Sequence, residues 1–142
     1  MPGIEHTDAT NLQTACGEAD IVVSATGSPE PLVHGDWIRE GTHTDFIGNH
    51  HATKRECDTA LVLKAKVYAD SFVNMFKEAG EILVPLSEGV FKREQVIGEL
   101  AGMCTGSVPL RENDREITLV KSIGMALSDL VGASQAFHAS AT

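Results

Sequence analysis

Two spacings of apolar residues divide this chain into helix-like and strand-like segments. In residues 7–19 the apolar positions recur at i, i+3, i+4 and i+7, which predicts a short amphipathic helix capped by Asp8 or Thr10. Residues 20–25 follow as a β-branched apolar run without polar alternation. Such a run predicts a strand that is covered on both faces, as in a parallel sheet.

The same two patterns continue to the end of the chain. Further strands are predicted at 42–47, 66–70 and 117–120. Further helices are predicted at 58–65 with Asp58 as cap, at 72–79 with Gly80 as stop, from about 93 to 104, and along an apolar stripe between Ile123 and Phe137, before a frayed tail at 138–142. Strands that alternate with helices predict one α/β unit with a mostly parallel sheet and helices on both faces.

Composition limits the classes of partner. A chain of 142 residues with 42% apolar residues can bury one ordinary core. Its formal charge of −9 argues against binding to nucleic acid or anionic lipid, and favours a small soluble ligand or a protein partner. The sequence shows neither an apolar run of about 20 residues nor an export signal, so we expect no membrane association and a cytoplasmic location.

Three cysteines and several histidines raise the question of metal or disulfide chemistry. Cys16, Cys57 and Cys104 are odd in number and irregularly spaced, which favours reduced, buried thiols. His50 and His51 are adjacent and would point in different directions, so we expect no metal site. The acidic residues at 78, 81 and 88 are expected to form a solvated face.

Small and polar residues follow three of the predicted strands. They are Thr26, Gly27 and Ser28 after the first strand, Gly48, Asn49 and His50 after the second, and Lys121, Ser122 and Gly124 after the last. Ligands of parallel α/β sheets bind beyond the carboxyl ends of the strands, where glycine permits close approach. Gly27 or Gly48 alone is equally well explained as a turn residue, but three such ends together favour a ligand crevice.

Several segments, in this order, resemble one known family. They are ADIVVSATGSPEPLVHGDWIREGTHTDFIG, KREC, AKVYADS, EAGEILVPLSEG, IGELAGMCTG and EITLVKSIGMALSDL, and together they cover about residues 16–131. This succession is similar to the second half of the ornithine cyclodeaminase and mu-crystallin family. The resemblance implies a partial Rossmann-like fold, an NAD or NADP cofactor, and an amino acid or cyclic imine as substrate, in cyclodeamination, amino-acid dehydrogenation or imine reduction.

The resemblance also implies roles for individual residues. Thr26, Gly27 and Ser28 would meet the dinucleotide together with Gly48, Asn49, Lys121, Ser122 and Gly124. His50 stands where cyclodeaminases have an aspartate, which puts ornithine cyclodeamination in doubt and favours imine reduction or simple binding. His50 can transfer protons near neutral pH, and with Lys54 it is the candidate catalytic residue.

The first half of a dinucleotide-binding domain is not recognisable. None of the 13 glycines falls into a G-x-G-x-x-G turn, so residues 1–142 are expected to be the C-terminal part of an NAD(P)-binding domain. An open sheet edge would then favour a homo-oligomer. A non-catalytic ligand-binding or assembly module, or a folding unit without activity of its own, remains the alternative.

Overall fold

The computed structural model describes residues 3–140 as a five-stranded sheet with helices. The strands are β1 (Ile21–Ser24), β2 (His43–Phe46), β3 (Lys66–Ala69), β4 (Val96–Glu99) and β5 (Thr118–Lys121). The helices are α1 (Leu12–Glu18), α2 (Thr59–Lys64), α3 (Phe72–Glu78), α4 (Gly80–Ser87), α5 (Leu100–Thr105) and α6 (Ala126–Ser140), with 3-10 turns at Gly35–Trp37 and Arg93–Gln95.

All strand pairs are parallel, in the order β1-β2-β5-β3-β4. The α/β class with a parallel sheet and a Rossmann-like arrangement is therefore confirmed. The core lies on one face, where Phe46 and Leu119 are fully buried in one cluster with Leu61 of α2 and Ile82 of α4. Burying each such side chain contributes about 1.5–3 kcal/mol, so this face holds the sheet to its helices.

The other face of the sheet is open at β1. Ile21 and Val23 are 63% and 61% exposed, although the sequence predicted that both faces of this strand are covered. β1 is the edge strand of the sheet, and α5 lies at the opposite edge, after β4. An apolar run predicts two apolar faces, but it does not say which element covers them.

The helix predicted at 93–104 is wrong in its first half. Val96–Glu99 forms β4, which pairs in parallel with β3, and only Leu100–Thr105 is helical. Val96 and Gly98 are buried, whereas Ile97 and Glu99 are only half-buried, which is the alternation of a strand. Pairing with β3 overrides a helical spacing that short apolar runs readily mimic.

Gly80 begins a helix that the sequence did not predict. α3 ends at Glu78 as expected, but α4 follows at once, with Pro85 inside it. A Cβ at Gly80 would lie 2.0 Å from the Lys54 carbonyl oxygen, so the glycine allows the start of α4 to pack against the loop after β2. Close packing explains this glycine better than a helix stop.

The last helix is longer and more exposed than predicted. α6 continues to Ser140, so residues 138–140 are helical where a frayed tail was predicted, and 141–142 lie outside the described residues. Its large apolar side chains are exposed, from 52% at Val131 to 69% at Phe137. The spacing identified the helix correctly, but of the stripe only Ile123, which precedes α6, packs against the core cluster.

The predicted helix caps and the predicted burial of the cysteines are confirmed in part. Asp58 caps α2 as predicted, with its Oδ1 accepting from the Leu61 amide at 2.9 Å. Asn11, and neither Asp8 nor Thr10, caps α1. Cys16 and Cys57 are buried, but Cys104 is exposed on α5, which corrects the expectation of three buried thiols.

Candidate functional site

The register of the sheet places all five strand ends at one level. Ser24 of β1 pairs with Phe46 of β2, Phe46 with Lys121 of β5, Lys121 with Ala69 of β3, and Ala69 with Glu99 of β4. The segments that follow these strands therefore share one edge of the molecule. The residues that the sequence singled out after β1, β2 and β5 lie on three adjacent strands of this edge.

A buried carboxylate, Glu56, joins the ends of β1 and β2. Its Oε1 accepts from Ser24 Oγ at 2.7 Å, from the Thr26 amide at 2.6 Å and from Thr26 Oγ1 at 2.8 Å. Its Oε2 accepts from the Gly48 amide at 2.8 Å. Glu56 is 0% exposed, so water cannot reach its carboxylate. The side chain of Glu56 therefore satisfies the hydrogen-bond donors at the ends of both strands without help from solvent.

These contacts also determine the charge state of Glu56. Burial alone would raise the pKa of this carboxyl group, but hydrogen bonds from Thr26, Ser24 and Gly48 together outweigh it, so the pKa lies below its usual value. Glu56 is therefore ionised at neutral pH. An ionised carboxylate only accepts hydrogen bonds, so every polar neighbour must donate to it.

A buried ion pair extends this network to β5. Lys121 Nζ lies 3.3 Å from Glu81 Oε2 and donates to the Asn49 carbonyl at 2.7 Å. Glu81 Oε1 in turn accepts from the Glu56 amide at 2.9 Å. Both charged side chains of the pair are fully buried. The ends of β1, β2 and β5 are thus connected through one buried chain of polar contacts.

A second carboxylate, Asp70, organises the loop after β5. Asp70 Oδ2 accepts from Ser122 Oγ at 2.8 Å and from the amides of Ile123 and Gly124 at 2.9 and 2.8 Å. Its Oδ1 accepts from the Ser71 amide. Gly124 has φ +94°, a left-handed conformation that favours glycine and lets the loop wrap this carboxylate.

The structure brings most of the predicted cofactor residues together. Thr26, Ser28 and Ser122 are half-buried at the strand ends, and Gly27 and Gly124 are exposed beside them. Asn49 is buried and its side-chain amide donates to the Ser28 carbonyl, which joins the first two loops.

Gly48 and Lys121, two of the predicted cofactor residues, make structural contacts that the sequence did not reveal. Gly48 approaches the Thr26 backbone so closely that a Cβ would lie 2.1 Å from the Thr26 nitrogen. Lys121 lies beneath the strand ends, with its ammonium group occupied by Glu81 and Asn49. Both residues contact other parts of the chain at the strand ends. Their contact with a cofactor remains a prediction.

The two candidate catalytic residues lie in the loop after β2. His50 is exposed and Lys54 is half-buried, with the Lys54 amide donating to the His51 carbonyl at 3.1 Å. This loop follows the Gly48 amide that Glu56 holds. His50 and Lys54 therefore lie in the loop that follows the end of β2.

The buried residues that hold the edge together were largely missed by the sequence analysis. Glu81 was expected on a solvated acidic face, yet it is 1% exposed and pairs with Lys121. Asp70 was treated only as the end of a strand. The one available signal was position, because an acidic residue directly after a buried strand, as at Asp70, lies at the edge where loop amides need acceptors.

One cavity lies away from these strand ends. It measures about 540 Å³ and opens on the uncovered sheet face, where Ile21, His43 and Thr118 are the first residues of their strands. A smaller cavity of about 310 Å³ lies at the carboxyl ends, between Asp70, Glu99 and Met125. Within residues 3–140, no group of three or more histidine, cysteine or acidic side chains is placed to hold a metal ion.

The geometry fits one part of a dinucleotide better than the other. Hydroxyl and carbonyl groups at the strand ends suit a ribose or a carboxamide. A pyrophosphate needs free amides, yet Glu99 Oε2 accepts from the Phe72 amide at the start of α3, and Asp58 occupies the start of α2. The amides at the starts of α2 and α3 are therefore already paired with side chains of this chain.

Comparison with known proteins decides the family. The model of the ornithine cyclodeaminase/mu-crystallin family matches residues 2–141. The chain belongs to this family. The resemblance to this family, which the sequence analysis based on six segments within residues 16–131, is therefore confirmed, over a longer part of the chain than those segments.

Relatives of this ornithine cyclodeaminase/mu-crystallin chain include enzymes of known structure. A Delta(1)-pyrroline-2-carboxylate reductase of Colwellia psychrerythraea is 42% identical over 93% of the chain, which corresponds to 42% of that relative's length. The Thermococcus litoralis Delta(1)-pyrroline-2-carboxylate reductase, solved with NADH and L-proline, has a TM-score of 0.82 at 39% identity, over 89% of this chain and 39% of its own. An archaeal alanine dehydrogenase dimer with bound NAD has a TM-score of 0.75 at 35% identity, over 84% of this chain and 38% of its own.

Proposed function

We propose that this chain provides the nicotinamide-binding part of an NAD(P)-dependent oxidoreductase that acts on an amino acid or a cyclic imine. The observation that supports this most is the shared edge of β1, β2 and β5, where buried Glu56, Lys121 and Asp70 hold the strand ends. The similar reductase solved with NADH and L-proline supports the cofactor and the substrate class.

Each part of the edge has a role in this proposal. The nicotinamide supplies the hydride donor or acceptor when it is bound. Thr26, Ser28 and Ser122 would orient its ring and ribose through their oxygen atoms, while Gly27 and Gly124 leave room for it. The edge does not distinguish NAD from NADP, because the ribose phosphate that differs lies at the other end of the dinucleotide.

His50 and Lys54 are the proposed catalytic residues. His50 is exposed in the loop beyond β2, and its imidazole is the proposed proton donor or acceptor. Lys54 is half-buried in the same loop, and its ammonium group suits a substrate carboxylate or a proton transfer to an imine nitrogen. The proposal therefore favours imine reduction over ornithine cyclodeamination.

A fragment titration tests this function. In this proposal the strand ends hold only the nicotinamide half, so reduced nicotinamide mononucleotide and NADH should bind this chain with similar affinity. Amide signals of the loops after β1, β2 and β5 should shift in NMR spectra with either ligand. Ser122→Ala should weaken both about 2- to 10-fold, as expected for one lost hydrogen bond.

The controls decide whether the effect belongs to the strand ends. Ser107→Ala removes a hydroxyl group from the loop after α5, where it donates to the Gly102 carbonyl, and should leave the affinity unchanged. AMP should shift none of the strand-end signals. No saturable shift with either nicotinamide ligand, or displacement by AMP, would contradict the proposal.

The proposal also includes a homo-oligomer, in which this unit is the C-terminal part of an NAD(P)-binding domain. β1 is an edge strand with exposed Ile21 and Val23, and a similar alanine dehydrogenase is a dimer. Light scattering should report a mass above that of one chain, and a monodisperse monomer would contradict it. A charged substitution on the open face, Val23→Glu, should reduce the mass, whereas Glu112→Gln at an exposed position should not.

We further propose a cytoplasmic location. The three cysteines are free, which suits a reducing compartment. No helix in residues 3–140 is long and apolar enough to cross a membrane.

A further inference from the structure

Two hydroxyl groups at the proposed cofactor edge have their protons committed to buried carboxylates. Thr26 Oγ1 donates to Glu56 Oε1 at 2.8 Å, because an ionised carboxylate has no proton to give. The Ser28 amide approaches the same hydroxyl oxygen at 3.3 Å. Thr26 therefore has one remaining lone pair and no proton for a ligand.

Ser122 is constrained in the same way on β5. Its Oγ donates to Asp70 Oδ2 at 2.8 Å, and that oxygen also accepts the amides of Ile123 and Gly124. Three donors converge on one carboxylate oxygen, an arrangement that requires it to act as acceptor. Ser122 consequently presents only lone pairs to a ligand at the strand end.

We propose that Glu56 and Asp70 are positioning residues that make Thr26 and Ser122 hydrogen-bond acceptors, so that the strand ends select a nicotinamide ring with a carboxamide over the corresponding ring with a carboxylate. This inference rests on the proposed function, since it concerns the same edge. It adds a rule of selection that the family membership does not contain.

The chemistry of the two rings explains the selection. A carboxamide brings two N–H donors that match acceptor-only hydroxyls, whereas an ionised carboxylate brings none. The carboxylate would also face hydroxyl lone pairs backed by Glu56 and Asp70, two like charges in a region of reduced dielectric constant. Both effects weaken the acid, and neither depends on the adenosine half of the dinucleotide.

The direct test compares NAD with nicotinic acid adenine dinucleotide, both oxidised, by NMR or calorimetric titration of this chain. The unmodified chain should bind NAD at least about tenfold more tightly, since an unmatched buried acceptor costs about that much in affinity. Glu56→Gln and Asp70→Asn remove the negative charge behind each hydroxyl group, while the amide oxygen can still accept from it, so the repulsion of the acid's carboxylate falls. Either variant should lower the preference for NAD at least about threefold.

A purely structural role of these carboxylates would lower both affinities and leave their ratio unchanged. Glu56→Asp keeps an ionised acceptor and should keep the preference, even where binding of both ligands weakens. Glu112→Gln makes the same chemical change at an exposed residue near Lys66, at the amino end of β3, and should alter nothing. If Glu56→Gln fails to fold by circular dichroism, Asp70→Asn tests the same inference on β5.

The outcomes separate this inference from the function on which it rests. Equal binding of both dinucleotides by the unmodified chain, or an unchanged preference in the folded amide variants, overturns the role of Glu56 and Asp70 and leaves the proposed function intact. Binding of neither dinucleotide overturns both.

Discussion

Replacing Lys121 with methionine is expected to lower the free energy of unfolding by about 3–5 kcal/mol. Lys121 and Glu81 form an ion pair in which both side chains are fully buried. Methionine fills a similar volume but leaves the Glu81 carboxylate without a compensating charge in the core. It also removes the donor to the Asn49 carbonyl, which would then be an unsatisfied acceptor. Urea unfolding followed by Trp37 fluorescence at neutral pH measures the loss.

A second substitution shows whether the lost charge partner is the cause. Adding Glu81→Leu to Lys121→Met removes the stranded carboxylate, so the double variant should be more stable than Lys121→Met alone, although the Glu56 amide loses its acceptor. Lys66→Met is the matched control, because Lys66 pairs with Glu112 and Glu116 at the amino end of β3 and should cost much less. A stability of Lys121→Met equal to that of the unmodified chain would contradict the structural role of the pair.

The sequence predicts the edge of the sheet better than the residues beneath it. Gly27, Gly48 and Gly124 are visible as breaks after apolar runs, and the parallel arrangement then places them on one edge. Glu81 carries no such mark, because its place before the apolar run 82–84 does not reveal which charged residue it pairs with. Its contacts with Lys121 and with the Glu56 amide, 40 and 25 positions away in the sequence, make it a core residue.

The errors in secondary structure have a related cause. The apolar positions between Val96 and Cys104 satisfy a helical spacing, yet Val96–Glu99 pairs with β3, which lies about 30 residues earlier. At α6 and β1 the type of element is predicted correctly. What the apolar pattern does not predict there is that the apolar side chains stay exposed. Local periodicity specifies an element, whereas burial depends on partners that are distant in sequence.

Gly48→Ala is expected to destabilise the chain by about 3 kcal/mol and to disrupt the edge at the same time. The new methyl carbon would lie 2.1 Å from the Thr26 nitrogen and 2.2 Å from the Thr26 oxygen. Both are backbone atoms that cannot rotate away, so the loops after β1 and β2 must separate. Separation breaks the bridge in which Glu56 accepts from the Thr26 and Gly48 amides at once.

Gly27→Ala, on the same edge, gives the matched comparison. Nothing lies within 4 Å of a Cβ at Gly27 and its φ is outside the left-handed region, so this variant should change the unfolding free energy by less than about 0.5 kcal/mol. The two variants make the same chemical change, and urea unfolding measures both. Because Glu56 can satisfy both loops only while they are in contact, Gly48→Ala should also move the NMR amide signals of Thr26 and residue 48 well beyond the shifts in Gly27→Ala. Equal stability of the two variants would show that the loops tolerate separation, and that Glu56 does not need both of them in place.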